Sequence, residues 1–172
     1  MSIHLIVDGY NLIRQSPRLS LLDAQDLEAG REALMQSLAD YRRSRPRHKI
    51  TVVFDGWQGG GLRESRDVYR GMGVVYSRRG ERADEVIKRL LAREGPRALV
   101  VSSDRELQGF ADGVGATWVA AGQFETQYLQ KALRGGEIED EEAPGPRGPA
   151  KKGPARRLSK RLRKKQQRLR KL

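Results

Sequence analysis

Four aspartates, Asp8, Asp55, Asp84 and Asp104, and one asparagine, Asn11, stand in this chain where metal-dependent hydrolysis would need them. Three of the acids close short apolar runs: Val7 is followed by Asp8, Phe54 by Asp55, and Ser102-Ser103 by Asp104. The fourth, Asp84, opens a helical stretch, three residues before Ile87 and seven before Leu91, which sets it beside the apolar stripe. Carboxylates gathered at one edge repel each other, and without a cation at least one takes up a proton. A hard divalent cation, Mg²⁺ or Mn²⁺, removes that conflict, polarises a phosphodiester and lowers the pKa of a bound water. Taken singly, each Asp also suits a helix N-cap or a turn after a strand, so the weight lies in the three strand ends together. Asn11, one helical turn past Asp8, fits either a phosphate-orienting role or a turn.

These positions demand elements that bring strand ends together. Apolar or β-branched runs at about Ile3–Val7, Ile50–Phe54, Gly73–Tyr76, Ala98–Ser102 and Thr117–Val119 read as strands. Most are continuous and not alternating, the pattern of strands buried on both faces, so the expected sheet is mainly parallel and covered by helices. The spacing predicts a helix over 23–44, with Leu27, Leu34, Leu38 and Tyr41 on one face, and another over 82–94, with Ala83, Val86, Ile87, Leu90 and Leu91. Weaker helices fit 105–112 and 123–134. In such a fold ligands bind outside the carboxyl ends of the strands, where three of the acids stand.

The chain has 172 residues and a formal charge of +12, which points to an anionic partner, nucleic acid first. Of its 34 Lys and Arg, 13 lie in residues 144–172 with no acid among them, which leaves residues 1–143 close to neutral. Residues 1–134 are therefore expected to form one domain, 135–155 an acidic and then Pro/Gly-rich disordered linker, and 156–172 a basic tail that stays unfolded without a partner. Leu158, Leu162, Leu169 and Leu172 give the tail near-helical spacing, so it can become an amphipathic helix on an anionic surface; Arg156, Arg157, Lys160, Arg161, Arg163, Lys164 and Lys165 are its expected RNA contacts, with a membrane surface and a plain solubility tail as the competing readings. Arg78, Arg79, Arg82 and Arg105 flank the acids where a phosphate backbone would pass, unless they serve only local ion pairs. A second basic patch, Arg42 to Lys49, fits helix-dipole compensation.

Several classes fall away. No run approaches the length of a membrane-spanning helix, and the N-terminal segment breaks at Asp8, so neither a membrane protein nor a secreted one is expected. With no Cys and two isolated His, a disulfide framework, a thiol nucleophile and a Cys-ligated zinc are excluded, and His4 and His48 read as structural. No His, Cys or Ser arrangement suits covalent catalysis either, which makes a metal-activated water the expected nucleophile. The Trp57–Gly61 stretch lacks the Lys-Ser/Thr of a P-loop and the spacing of a dinucleotide fingerprint, so no nucleotide cofactor is expected; Trp57 can instead stack on a base.

Val7-Asp8-Gly9-Tyr10-Asn11-Leu12-Ile13, Val53-Phe54-Asp55-Gly56, Ala83-Asp84-Glu85 and Val101-Ser102-Ser103-Asp104 resemble, in order, the motifs of the YacP-like NYN domains in the PIN-like superfamily of metal-dependent ribonucleases. The resemblance covers about residues 1–134. It implies a three-layer α/β fold, in-line hydrolysis of RNA, Asp8, Asp84 and Asp104 as metal-binding acids with Asn11 beside them, and Asp55 as a further acid. One bacterial member type is similar to a ribosome-associated endonuclease of mRNA, which implies a cytoplasmic setting and RNA on ribosomes. A non-catalytic RNA- or ribosome-binding adaptor is the competing reading, though four acids near a polyanion serve it poorly. An aspartyl-phosphate phosphatase would need a second Asp two residues after Asp8, where Tyr10 stands.

Overall fold

The computed structural model describes residues 2–56, 61–133 and 160–172. Strand β1 (His4–Asp8) leads into three helices, α1 (Gly9–Gln15), α2 (Pro17–Gln25) and α3 (Leu27–Ser44). Strands β2 (Lys49–Phe54), β3 (Ser65–Tyr69) and β4 (Met72–Tyr76) follow, then α4 (Ala83–Glu94), β5 (Ala98–Val101), α5 (Arg105–Gly113) and β6 (Thr117–Val119). Helix α6 (Ala121–Phe124) runs through a π-helical turn, Glu125–Leu129, into α7 (Gln130–Leu133), and α8 (Lys160–Leu169) comes last. The six strands form one sheet in the order β3-β4-β2-β1-β5-β6, parallel except for β3.

Layering follows from the strand pattern. Leu5, Val7, Val52 and Phe54 point to one face, under α1 to α3 and α6 to α7, while Ile6, Val53, Val75 and Val100 point to the other, under α4 and α5. Both faces are buried, which is why the strands read as unbroken apolar runs. Among the described residues no helix is long and apolar enough to cross a membrane.

Three expectations change. The helix predicted over 23–44 is two helices: Ser16, followed by Pro17, caps α2 by accepting from the Leu19 amide at 3.3 Å, and Asp26 caps α3 by accepting from the Glu28 amide. Leu27, placed at that break, is 49% exposed and contributes nothing to the stripe of Leu34, Leu38 and Tyr41. The second change is β3, which the sequence hides because its first four residues are exposed and three of them are polar; it pairs with β4 through a tight turn in which Arg70 and Gly71 both take positive φ.

The third concerns the tail. Residues 160–172 do not stay unfolded: α8 packs on β6, Leu172 is 1% exposed within the core, and its carbonyl accepts from the Tyr41 hydroxyl at 2.9 Å and the Arg45 Nε at 2.8 Å. Tyr128 also donates to the Leu169 carbonyl at 3.1 Å. Leu169 and Leu172 find their apolar partners in the chain's own domain, while Leu162 stays exposed. The expected linker, 135–155, lies outside the described residues, as do Arg156, Arg157 and Leu158, the side chain of Arg161, and Trp57 with residues 58–60.

Candidate active site

Sheet order reverses between β1 and β5, the crevice where open α/β folds bind ligands. Asp8 ends β1 there, 7% exposed, and the chain turns at once into α1. The close approach of Phe54 requires Gly9 here, because a Cβ at this position would clash with the edge of the Phe54 ring. Burial pushes the Asp8 carboxyl up to about 6; a hydrogen bond from Ser102 opposes the rise, while the negative charges of Asp84 and Asp104 add to it.

Asp104 closes the other side of the crevice. It caps α5, its Oδ1 accepting from the amides of Glu106 at 2.7 Å and Leu107 at 3.1 Å, so the N-cap alternative holds for this residue and commits that oxygen. Asp84 sits half-buried in the first turn of α4, where burial and the charge of Asp104 raise its pKa against the pull of Arg82, whose Nη2 lies 2.6 Å from its Oδ2. Asp55 follows β2, on the far side of Asp8 from Asp104. The structure thus brings Asp8, Asp84 and Asp104 within electrostatic reach of one another.

Asn11 has a definite partner: its Oδ1 accepts from the Ser103 amide at 2.8 Å, which fixes the loop after β5. Of the flanking cations, Arg82 pairs with Asp84 and Arg78 Nε lies 3.7 Å from Glu81, so ion pairing accounts for both. Arg105 is exposed at the start of α5, and Arg79 is exposed in the loop before α4, its amide donating to the Gly61 carbonyl. His4 and His48 are buried; His4 Nε2 lies 2.8 Å from Thr51 Oγ1 at the opposite end of β1 from the acids.

Sequence reasoning missed Ser102. Fully buried, its hydroxyl donates to Asp8 Oδ2 at 3.0 Å and accepts from the Asp104 amide at 3.1 Å, linking the two acids. A serine between a strand and an Asp carries no signal of its own; only the register of β1 on β5 makes it a bridge. Ser102→Ala is therefore expected to raise the Asp8 pKa further, since the bond favouring the carboxylate is lost, and to cost about 1–3 kcal/mol through the unpaired Asp104 amide. Carbon NMR titration of the metal-free protein and a denaturant curve check both.

Among the described residues no three His, Cys, Asp or Glu side chains converge tightly enough to form a ready-made metal cage. The donor chemistry nevertheless fits a hard divalent cation: the three acids offer only oxygen, and the buried Asp8 is crowded by like charge.

The profile of the YacP-like NYN domain family matches residues 5–171. The chain belongs to this family. The match takes in the basic tail, so the YacP-like NYN unit is longer here than the residues 1–134 that the motifs span, in keeping with the docked α8. The uncharacterized protein YacP of Bacillus subtilis (strain 168) is 37% identical over 86 residues, 50% of this chain and 49% of that protein, so the matched stretch spans about half the length of this curated relative. A crystal structure of a tryptophan-to-leucine mutant of Rae1 (YacP) from Bacillus subtilis superposes with a TM-score of 0.64 at 28% identity over 78% of each chain. A second crystal structure of Rae1 (YacP) gives 0.62 at 30% identity, covering 76% of this chain and 75% of that one. NYN domains are PIN-like nuclease domains, and the mainly parallel three-layer fold is theirs.

Proposed function

We propose that this chain is a Mg²⁺- or Mn²⁺-dependent endoribonuclease that hydrolyses RNA phosphodiester bonds, with mRNA on the ribosome as its substrate. The observation that carries the reading is Asp8: a buried carboxylate at the sheet's reversal point, its pKa pushed to about 6, with Asp84 and Asp104 beside it, in a chain of a nuclease family. Such a group is unfavourable for the fold alone and suits a site completed by a cation and a polyanion.

In this account Asp8, Asp84 and Asp104 would hold the ion. When bound, it polarises the scissile phosphodiester and supplies a water of lowered pKa. Ser102 keeps Asp8 aimed and ionisable, Asn11 pins the loop that carries Asp104, and Asp104 keeps Oδ1 on its helix cap and offers Oδ2. Arg82, which pairs with Asp84, and the exposed Arg105 and Arg79 are the cations flanking the acids that a substrate phosphate would meet. The ribosome enters through the basic carboxyl-terminal segment and the family resemblance, and it implies a cytoplasmic site of action.

The experiment is an mRNA in a ribosome-containing translation extract with Mg²⁺, comparing wild type with Asp104→Asn and mapping the 5′ ends produced. Asn keeps the α5 cap, so the variant folds. New ends with the wild type alone are expected. If neither protein cuts while both sediment with ribosomes at low salt, the chain is an adaptor.

A further inference from the structure

At the β6 edge of the sheet, away from the β1–β5 crevice that holds the acids, α8 and β6 enclose a cavity of about 700 Å³. Its apolar wall is the half-exposed indole of Trp118 with Leu162, itself 48% exposed. Lys160, Lys164, Lys165 and Arg168 ring it against a single acid, Asp112. Arg168 fastens the helix, its Nη1 donating to Thr117 Oγ1 at 3.0 Å and to the Gly115 carbonyl at 3.4 Å. The Lys165 ammonium rests on the Trp118 ring, 3.0 Å from the centroid.

We propose that this cavity binds one unpaired base of a single-stranded RNA, stacked on Trp118, with its flanking phosphates on Lys164 and Lys165. An aromatic face combined with clustered cations is the chemistry of a nucleotide: an apolar ligand has no use for the cations, and a simple anion has none for the indole. Lys165 already covers the ring and exchanges that contact for a phosphate as the base arrives. A duplex, whose bases are already stacked, cannot use the site. Because the cavity lies apart from the carboxylates, it grips RNA away from the point of cutting and converts the tail from a loose tether into a built subsite. The inference rests on the reading of RNA as substrate.

The test uses the full chain with Trp57→Phe, which leaves Trp118 as the sole indole, in EDTA and low salt. Titration with a ten-nucleotide oligoadenylate is expected to quench its fluorescence saturably, and a duplex of equal length is not. By filter binding, Trp118→Ala is expected to weaken affinity about tenfold, Trp118→Phe much less, and Lys164→Ala with Lys165→Ala to flatten the salt dependence. RNA retained on the filter with Trp118 emission unmoved, or Trp118→Ala binding at wild-type affinity while still folded by circular dichroism, overturns the proposal; so does no binding at all. Hexaglutamate quenching as strongly as RNA would make the site a general anion site and also overturn it. Quenching without any cleavage by the wild type would leave this site standing and remove the nuclease, whereas cleavage without quenching would do the reverse.

Discussion

Asp8→Asn should make the metal-free protein more stable at pH 8 while abolishing its cleavage of RNA. The folded protein holds the Asp8 proton to about pH 6, whereas an unfolded chain releases it near 3.8. A carboxylate raised in this way contributes stability below pH 4, and that contribution is lost as pH rises through 6. The span of about two units corresponds to about 3 kcal/mol at full ionisation. The amide keeps the shape and removes the buried charge, so in EDTA at pH 8 a rise in Tm of about 5–10 °C is expected, shrinking to little at pH 4. Mn²⁺ should raise the Tm of the wild type and leave that of the variant unmoved, because only the wild type gains a ligand. Differential scanning calorimetry at the two pH values, with and without the ion, reads all three effects. A variant less stable than wild type at pH 8 would mean that Asp8 belongs to the architecture and not to a binding site.

The second large effect lies at the other end of the chain. Leu172→Ala is expected to cost about 2–5 kcal/mol, the range for truncating a buried leucine, and to lower Tm by about 5–15 °C. Leu172 lies in the same core cluster as Tyr41 and Phe124, whose rings meet edge to face at 5.5 Å. Its carbonyl satisfies the Tyr41 hydroxyl, which is buried with no exposure. Removing residues 160–172 should be worse, leaving that hydroxyl and the Tyr128 hydroxyl without their acceptors. Leu162→Ala, at an exposed position of the same helix, should change stability by less than about 0.5 kcal/mol. Thermal melts of the three proteins decide: equal Tm values throughout would return α8 to a free tether.

The tail shows why part of this molecule was hidden in its sequence. Its leucine spacing predicts a helix, but 13 bases without an acid in residues 144–172 point outward to an anionic partner, and nothing local signals that Leu172 reaches the core beside Tyr41. Long-range burial of one residue leaves no periodic trace. The central strands are readable for the opposite reason: β1, β2, β4 and β5 are largely buried on both faces and so read as apolar runs, whereas β3, exposed over residues 65–68, has no such run. Helical spacing from Ile87 and Leu91 places Asp84 beside the apolar stripe, and α4 buries both of those while leaving Asp84 half-exposed beside them. The Asp8–Ser102–Asp104 link depends on strand register, which no single-strand pattern specifies.

The most direct test of the central claim, that the carboxylates at the β1–β5 crevice cut RNA, is a time course on an end-labelled single-stranded RNA with purified protein and Mn²⁺, wild type against Asp8→Asn. The account predicts internal cleavage by the wild type, none in EDTA, and a rate for the variant lower by at least about 10³-fold, about 4 kcal/mol of transition-state stabilisation. Cleavage by Asp8→Asn at the wild-type rate, in the same preparation that shows its shifted Tm, would contradict it.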